Sequence, residues 1–117
     1  MYTKSYTDRK TFVKYDDNRY LLYLDEQEVQ VEQPEGEAVP GYSYTGSNED
    51  GGTMIEAKEA TRDAFVSGLI RTRYSQDAVE AIVLNNLEPE QRESELAELQ
   101  AFRAECKSKV DEMLGRQ

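Results

Sequence analysis

Thr-Phe-Val-Lys-Tyr-Asp-Asp-Asn-Arg-Tyr-Leu-Leu-Tyr-Leu, residues 11–24, decides the fold of the first half of this chain. Two runs rich in β-branched, aromatic and aliphatic residues flank Asp16-Asp17-Asn18, and such side chains favour strands. Asp and Asn hydrogen-bond to their own backbone and tolerate a positive φ, so the middle favours a turn. The stretch therefore predicts an antiparallel hairpin.

Further strands are predicted on both sides of this hairpin. Asp25-Glu26-Gln27 is typical of a second turn, and residues 28–32 alternate so that Val29 and Val31 share one face. These strands together predict a β-meander. A strand is also indicated near Tyr2–Tyr6, and a short aromatic one over Tyr42–Thr45. Between the strand over 28–32 and the strand over Tyr42–Thr45, residues 33–41 contain two prolines and a glycine, which predict a loop.

The second half carries helical patterns. Thr53 and Glu56 have the spacing of a capping box, which predicts a helix from Thr53 to about Arg73. Small residues at 57, 60, 64 and 68 indicate a face against which another element packs closely. Ser75 is a suitable N-cap for a second, short helix that ends at Asn85-Asn86.

A long last helix is predicted between Pro89 and Gly115, because proline suits the first helical position and glycine the position after the last. At 1.5 Å per residue it would span ~38 Å, so it either projects or pairs with a copy of itself. Its apolar stripe consists of Leu99, Phe102, Cys106, Val110, Met113 and Leu114.

These elements predict an α+β fold, with a small antiparallel sheet before two helices and a long amphipathic C-terminal helix. We expect one domain over residues 1–117, strand-rich over 1–45 and helical over 53–117.

Composition excludes several kinds of active site. The chain has no His and one Cys, which rules out Ser-His and Cys-His nucleophile pairs and the usual zinc sites. We expect no metal and no cofactor, and we expect Cys106 to be a buried apolar residue. A carboxylate pair could still support hydrolysis, but 24 acidic residues form pairs by chance.

The formal net charge of −10 is spread along the whole chain. It argues against direct binding of nucleic acid, which needs Lys and Arg against phosphates, and against anionic membranes. The longest aliphatic run, residues 81–84, is too short to span a bilayer, and no apolar leader is evident, so the expected location is the cytoplasm. Such acidity serves solubility, or it docks a basic partner.

Tyrosine and the last helix supply the candidate contacts. Cross-strand packing explains tyrosines in strands, but an exposed tyrosine surface would suit a protein partner. The candidate interaction surface is Tyr20, Tyr23, Tyr42, Tyr44, Leu99, Phe102, Val110 and Met113.

Residues 41–57, followed by Phe65-Val66-Ser67-Gly68-Leu69-Ile70-Arg71 and residues 74–82, carry a resemblance. This pattern resembles small proteins carried by phages and prophages of gut bacteria, in which a strand-rich half precedes a helical pair and a Glu/Lys-rich helix. The resemblance implies an accessory or structural phage role, such as tail assembly, and it carries over no site residues.

The expected function is a non-enzymatic interaction or assembly protein that binds another protein or its own copy through the C-terminal helix. One alternative is an acidic inhibitor that occupies the basic nucleic-acid site of a partner. Another is a carboxylate-based hydrolase.

Overall fold

The structure, a computed structural model, describes residues 1–83 and 89–117, with side chains described outside 84–92. The elements of this part are β1 (Tyr2–Tyr6), β2 (Phe12–Asp16), β3 (Arg19–Leu22), β4 (Gln27–Val31), β5 (Val39–Gly46), β6 (Thr53–Glu56), α1 (Arg62–Arg71), α2 (Gln76–Val83) and α3 (Pro89–Leu114). Antiparallel strands thus precede helices that include a long C-terminal one, which confirms the predicted α+β class.

In the described residues the strands form two antiparallel sheets. We call the one with strand order β1-β5-β4 the outer sheet, and the one with order β2-β3-β6 the central sheet. Successive side chains of a strand point to opposite faces. Along β3 and just beyond it, Tyr20 and Leu22 therefore face one way, whereas Leu21 and Tyr23 face the other.

The first of these faces packs against the helices. Phe65 of α1 lies edge-on to the Phe12 and Tyr20 rings, with centroids 4.9 and 5.2 Å away. The apolar stripe of α3 packs against the same cluster. Cys106 is buried there, which confirms its predicted core role. Buried residues of this cluster include Tyr20, Leu22, Leu24, Ile55, Phe65, Leu69, Cys106, Val110 and Met113.

The second face of the central sheet packs against the outer sheet. Leu21 and Tyr23 of the central layer meet Tyr44 of β5 in a separate buried cluster, and Tyr6, Tyr42 and Met54 pack partly buried around it. The layers are therefore helices, central sheet and outer sheet, in that order.

The predicted single meander is corrected by this division into two sheets. The β2–β3 hairpin forms as expected, and Asn18 N–H donates to Asp16 Oδ1 at 2.9 Å within its turn. β4, however, pairs with β5 and not with β3. The chain leaves the central sheet at Asp25, which has a φ of 55° and redirects the backbone.

The helix predicted from Thr53 is also wrong at its start, because Thr53–Glu56 is strand β6. It pairs with β3, placing Ile55 opposite Tyr20, and Ile55 is almost fully buried. Burial of this β-branched residue in the central sheet outweighs the local capping pattern. The residues from 53 onward are therefore not purely helical.

Helix α1 begins eight residues later than predicted, at Arg62, with Thr61 and not Thr53 as its N-cap. The Thr61 hydroxyl accepts from Ala64 N–H at 3.2 Å. The close packing expected at Gly68 is confirmed, since a Cβ there would lie 2.5 Å from the Glu56 carbonyl oxygen.

The predicted loop over residues 33–41 is shorter at its end, because β5 already begins at Val39. Pro40 lies within this strand, opposite Gln30 of β4. β1 pairs only with residues 42–46 of β5, so nothing in the sheet requires an N–H from Pro40 on that side.

The remaining helix boundaries agree with the sequence where they are described. Ala78 N–H donates to the Ser75 hydroxyl at 3.1 Å, which confirms the predicted cap of α2. The predicted stop at Asn85-Asn86 lies outside the described residues. α3 begins at Pro89 and ends one residue before Gly115. No described helix is both long enough and apolar enough to cross a membrane.

Candidate interaction surface

The structure places most of the predicted contact residues inside the molecule. Three of the four candidate tyrosines, Tyr20, Tyr23 and Tyr44, are at most 6% exposed, and Tyr42 is half-buried. The prediction of an exposed tyrosine surface is wrong for these three, because both faces of the central sheet are covered. Their rings pack between layers.

The C-terminal helix gives the same result. Leu99, Val110 and Met113 are fully buried within the chain, and Phe102 is partly buried against the core. Phe102 also contacts Tyr74, with ring centroids 5.7 Å apart. Because this stripe is already covered by the chain's own residues, it is not free to pair with a copy of α3.

Two carboxylates hold the tyrosine hydroxyls between the sheets. Tyr23 Oη donates to Asp50 Oδ2 at 2.7 Å, and Tyr6 Oη donates to the Asp50 carbonyl at 2.6 Å. Asp50 Oδ1 accepts from Asn48 and from Gly52 N–H, both at 2.9 Å. Burial raises the pKa of Asp50, but these hydrogen bonds outweigh it, so its pKa lies below the usual range.

Glu26 is the second of these carboxylates. It accepts from Tyr44 Oη at 2.7 Å and from the Arg9 guanidinium at 2.7 and 3.1 Å. Arg116 Nε lies 3.4 Å from the same carboxylate. Burial raises the pKa of Glu26, but the hydrogen bonds from Arg9 and Tyr44 outweigh this effect, so the pKa lies below its usual value. Burial also raises the pKa of Tyr44, to about 12.

Arg116 ties the end of the chain to both sheets. Its side chain is 2% exposed, and its guanidinium donates to the Tyr23 and Lys10 carbonyls at 2.7 and 3.1 Å. It also pairs with Glu112 one helical turn earlier, at 2.6 Å. The sequence offered only the i, i+4 spacing of Glu112 and Arg116 as a sign of this contact.

The contacts of Asp50 and Glu26 are structural ones within the chain. A general acid needs a raised pKa and a general base needs free lone pairs, whereas Asp50 and Glu26 have lowered pKa values and several hydrogen-bond donors each. Among the described residues, no group of three or more Asp, Glu, Cys or His side chains could hold a metal ion.

The outer sheet presents a different kind of surface on the side away from the tyrosines. Because Tyr6, Tyr42 and Tyr44 point inward, the alternate residues of the same strands point outward. We call them the outer face: Thr3, Ser5, Gln27, Val29, Val31, Val39, Gly41, Ser43 and Thr45, of which Gly41 and Ser43, in the middle strand, are buried.

No residue of the outer face is charged, although charged residues make up 32% of the chain. Ser5 and Gln27 flank Ser43 in one row across the sheet, and Thr3 Oγ1 lies 2.9 Å from Thr45 Oγ1 in the next. At Gly41 a Cβ would lie 2.4 Å from both Val31 Cγ2 and the Tyr6 carbonyl oxygen, so both neighbouring strands pack closely against this glycine. Depletion of charge is typical of the centre of a protein interface.

No protein-family model, curated protein sequence or solved structure matches this chain.

Proposed function

We propose that this chain is a non-enzymatic protein-binding protein whose contact surface is the outer face. The observation that carries the proposal is the absence of charge on a whole sheet face in a chain of net charge −10. Burying charged groups without partners is costly, so an uncharged face is the part of such a surface that desolvates most readily.

The alternatives have less support. Hydrolysis by a carboxylate pair would need one carboxyl group with a raised pKa, whereas Asp50 and Glu26 have lowered ones. An acidic inhibitor of a basic nucleic-acid site could not use Asp16 and Asp111, because these two carboxylates pair with Arg19 and Arg62. A phage or prophage setting, such as tail assembly, is a proposal that rests on the sequence resemblance alone.

A net-neutral double variant tests the proposal. Ser5→Glu with Gln27→Lys places two charges on the outer face, and both positions are exposed, so folding should be retained. The matched control is Lys58→Glu with Glu59→Lys in the exposed segment before α1. Tagged wild-type protein and both variants are used to capture partners from a lysate of the source cell.

We expect proteins that the wild type and the control variant retain to be lost by the outer-face variant. Circular dichroism should show unchanged folding of all three. Equal capture by all three proteins would contradict a role of the outer face in binding.

A further inference from the structure

We propose that the free edge of β4 binds an extended strand of a partner protein, and that this strand alternates apolar and basic residues. The inference rests on the proposed function, because it names the partner and the edge of the same outer sheet. Three observations support it: the unpaired backbone groups of β4, the contacts, irregularity or charge at the other sheet edges, and the acidic residues along β4.

The backbone of β4 has unpaired groups that point out of the sheet. Opposite residues of an antiparallel pair alternate between pairs that exchange hydrogen bonds and pairs that do not. Pro40 has no N–H, so its pair with Gln30 is one that does not. The N–H and C=O groups of Gln30 and Glu28 therefore face away from β5.

Nothing in the described chain covers these groups. Across residues 1–83 and 89–117, no hydrogen bond outside the ladder with β5 reaches the backbone of Glu28 or Gln30. Both residues are exposed, and β4 contains neither a proline nor a register shift. An open, regular edge of this kind is a template for strand addition.

The β6 edge of the central sheet differs from the β4 edge, because contacts within the chain reach its backbone. Met54 N–H donates to the Ser47 hydroxyl at 3.3 Å, and the Glu56 carbonyl accepts from Arg71 at 3.1 Å. Gly68 lets α1 lie directly against that carbonyl. Two groups of the β6 backbone, the Met54 N–H and the Glu56 carbonyl, are thus already satisfied within the chain.

The two other edges are less suitable for a basic strand. β2 has a register shift between Lys14 and Asp16, and such irregularity interrupts pairing. β1 is regular, but its charged residue is Lys4, which repels a basic segment. β4 and the residue after it carry Glu28 and Glu32, with no basic residue between them.

Side-chain alternation on β4 defines the strand that would fit. Val29 and Val31 lie on the outer face, so the added strand places apolar residues beside them. Glu28 and Gln30 lie on the other face. A groove of about 450 Å³ along β4 and β5 is lined by residues of both faces, namely Glu28, Val29, Gln30, Pro40, Gly41 and Tyr42. Lys or Arg on that side of the added strand would pair with Glu28 and Glu32.

The test uses an end-blocked synthetic peptide of alternating Lys and Val, with alternating Glu and Val as its control. Backbone NMR of the full chain reports the binding constant and the hydrogen exchange of individual amides. We expect the Lys-Val peptide to bind and to slow exchange at Glu28 and Gln30, but not at Thr3 and Ser5 of β1. No binding at about 1 mM peptide, or equal binding of the Glu-Val peptide, would overturn the inference.

Gln30→Pro removes the outward N–H without removing a ladder bond, so the fold should survive and the peptide should bind about tenfold more weakly. Thr3→Pro makes the matching change at the outward N–H of β1 and should leave binding unchanged. Glu28→Lys with Glu32→Lys should reverse the preference toward the Glu-Val peptide. Protection at Thr3 and Ser5 instead of Glu28 would show that the peptide binds the β1 edge, and the inference about β4 would then be wrong.

The two proposals fail separately. If partner capture is lost in Ser5→Glu/Gln27→Lys but is unchanged in Gln30→Pro, the outer face binds a partner and strand addition at β4 is wrong. If neither variant changes capture, both proposals are wrong.

Discussion

The central and outer sheets are both built from short antiparallel strands, but they differ in what covers them. The central sheet has α1 and α3 on one face and the outer sheet on the other, and β3 is buried from Tyr20 to Leu22. The outer sheet packs against the central sheet through its tyrosine side, and among the described residues its strands β1 and β4 are largely exposed. With the proposed function, stability would depend on the central sheet and recognition on the outer sheet.

The comparison also explains the chemistry of the buried polar groups. A layer between two sheets must satisfy every hydroxyl that it encloses, and the tyrosines do so with Asp50 and Glu26. Asp50 and Glu26 are thereby used to join the two sheets.

The largest effect should come from truncating the central sheet. Leu22→Ala removes a fully buried side chain from β3, so the free energy of unfolding should fall by about 2–5 kcal/mol. Val39→Ala in the outer sheet, where the side chain is 36% exposed, should cost less than about 1 kcal/mol. Urea unfolding of both variants measures the difference, and equal losses would contradict the division between the sheets.

The next largest effect should come from the contact that joins α3 to both sheets. Arg116→Ala removes hydrogen bonds to two backbone carbonyls and an ion pair with Glu112, and should lower the free energy of unfolding by about 2–3 kcal/mol. Lys107→Ala, at an exposed position of the same helix, is the control. Thermal unfolding that is the same in both variants would show that the Arg116 contacts do not stabilise the fold.

A smaller effect is expected between the sheets. Tyr23→Phe removes the hydrogen bond to Asp50, so the free energy of unfolding should fall by about 1 kcal/mol at pH 7. Tyr15→Phe, at a residue that is 54% exposed, should have no measurable effect.

This loss should depend on pH. The lowered pKa of Asp50 contributes stability above its usual value of 3.8, and that stability is lost as pH falls through the folded pKa. Loss of the Tyr23 hydroxyl raises the Asp50 pKa toward its usual value, so the variant and the wild type should converge in strongly acidic solution. A difference that stays constant from neutral to acidic pH would show that the Asp50 charge is not involved.

Local patterns predicted local structure well. The turn at Asp16–Asn18, the cap at Ser75 and the bounds of α3 follow from neighbouring residues, and the structure has all three. The capping pattern of Thr53 and Glu56 misled because strand β6 is determined by pairing with β3, far away in the sequence. The helix and strand propensities of four neighbouring residues carry no information about a strand that pairs with them from elsewhere in the chain.

The candidate site could not be predicted for a related reason. Alternation shows that neighbouring side chains in a strand point in opposite directions, but not which direction is covered. Tyr23 and Tyr44 are buried because a second sheet lies on that side, and this arrangement depends on the change of direction at Asp25. The outer face follows only once the register of β1 and β4 on β5 is known.

The smallest effect is expected on the outer face itself. Thr45→Val keeps the branched shape and strand preference of the side chain and removes only the hydroxyl near Thr3. That hydroxyl pair is exposed, so water replaces the lost contact, and the free energy of unfolding should change by less than about 0.5 kcal/mol. Urea unfolding beside the wild type measures it. A loss as large as that of Tyr23→Phe would mean that the outer face stabilises the fold as the buried layer does, and its lack of charge would then need no partner to explain it.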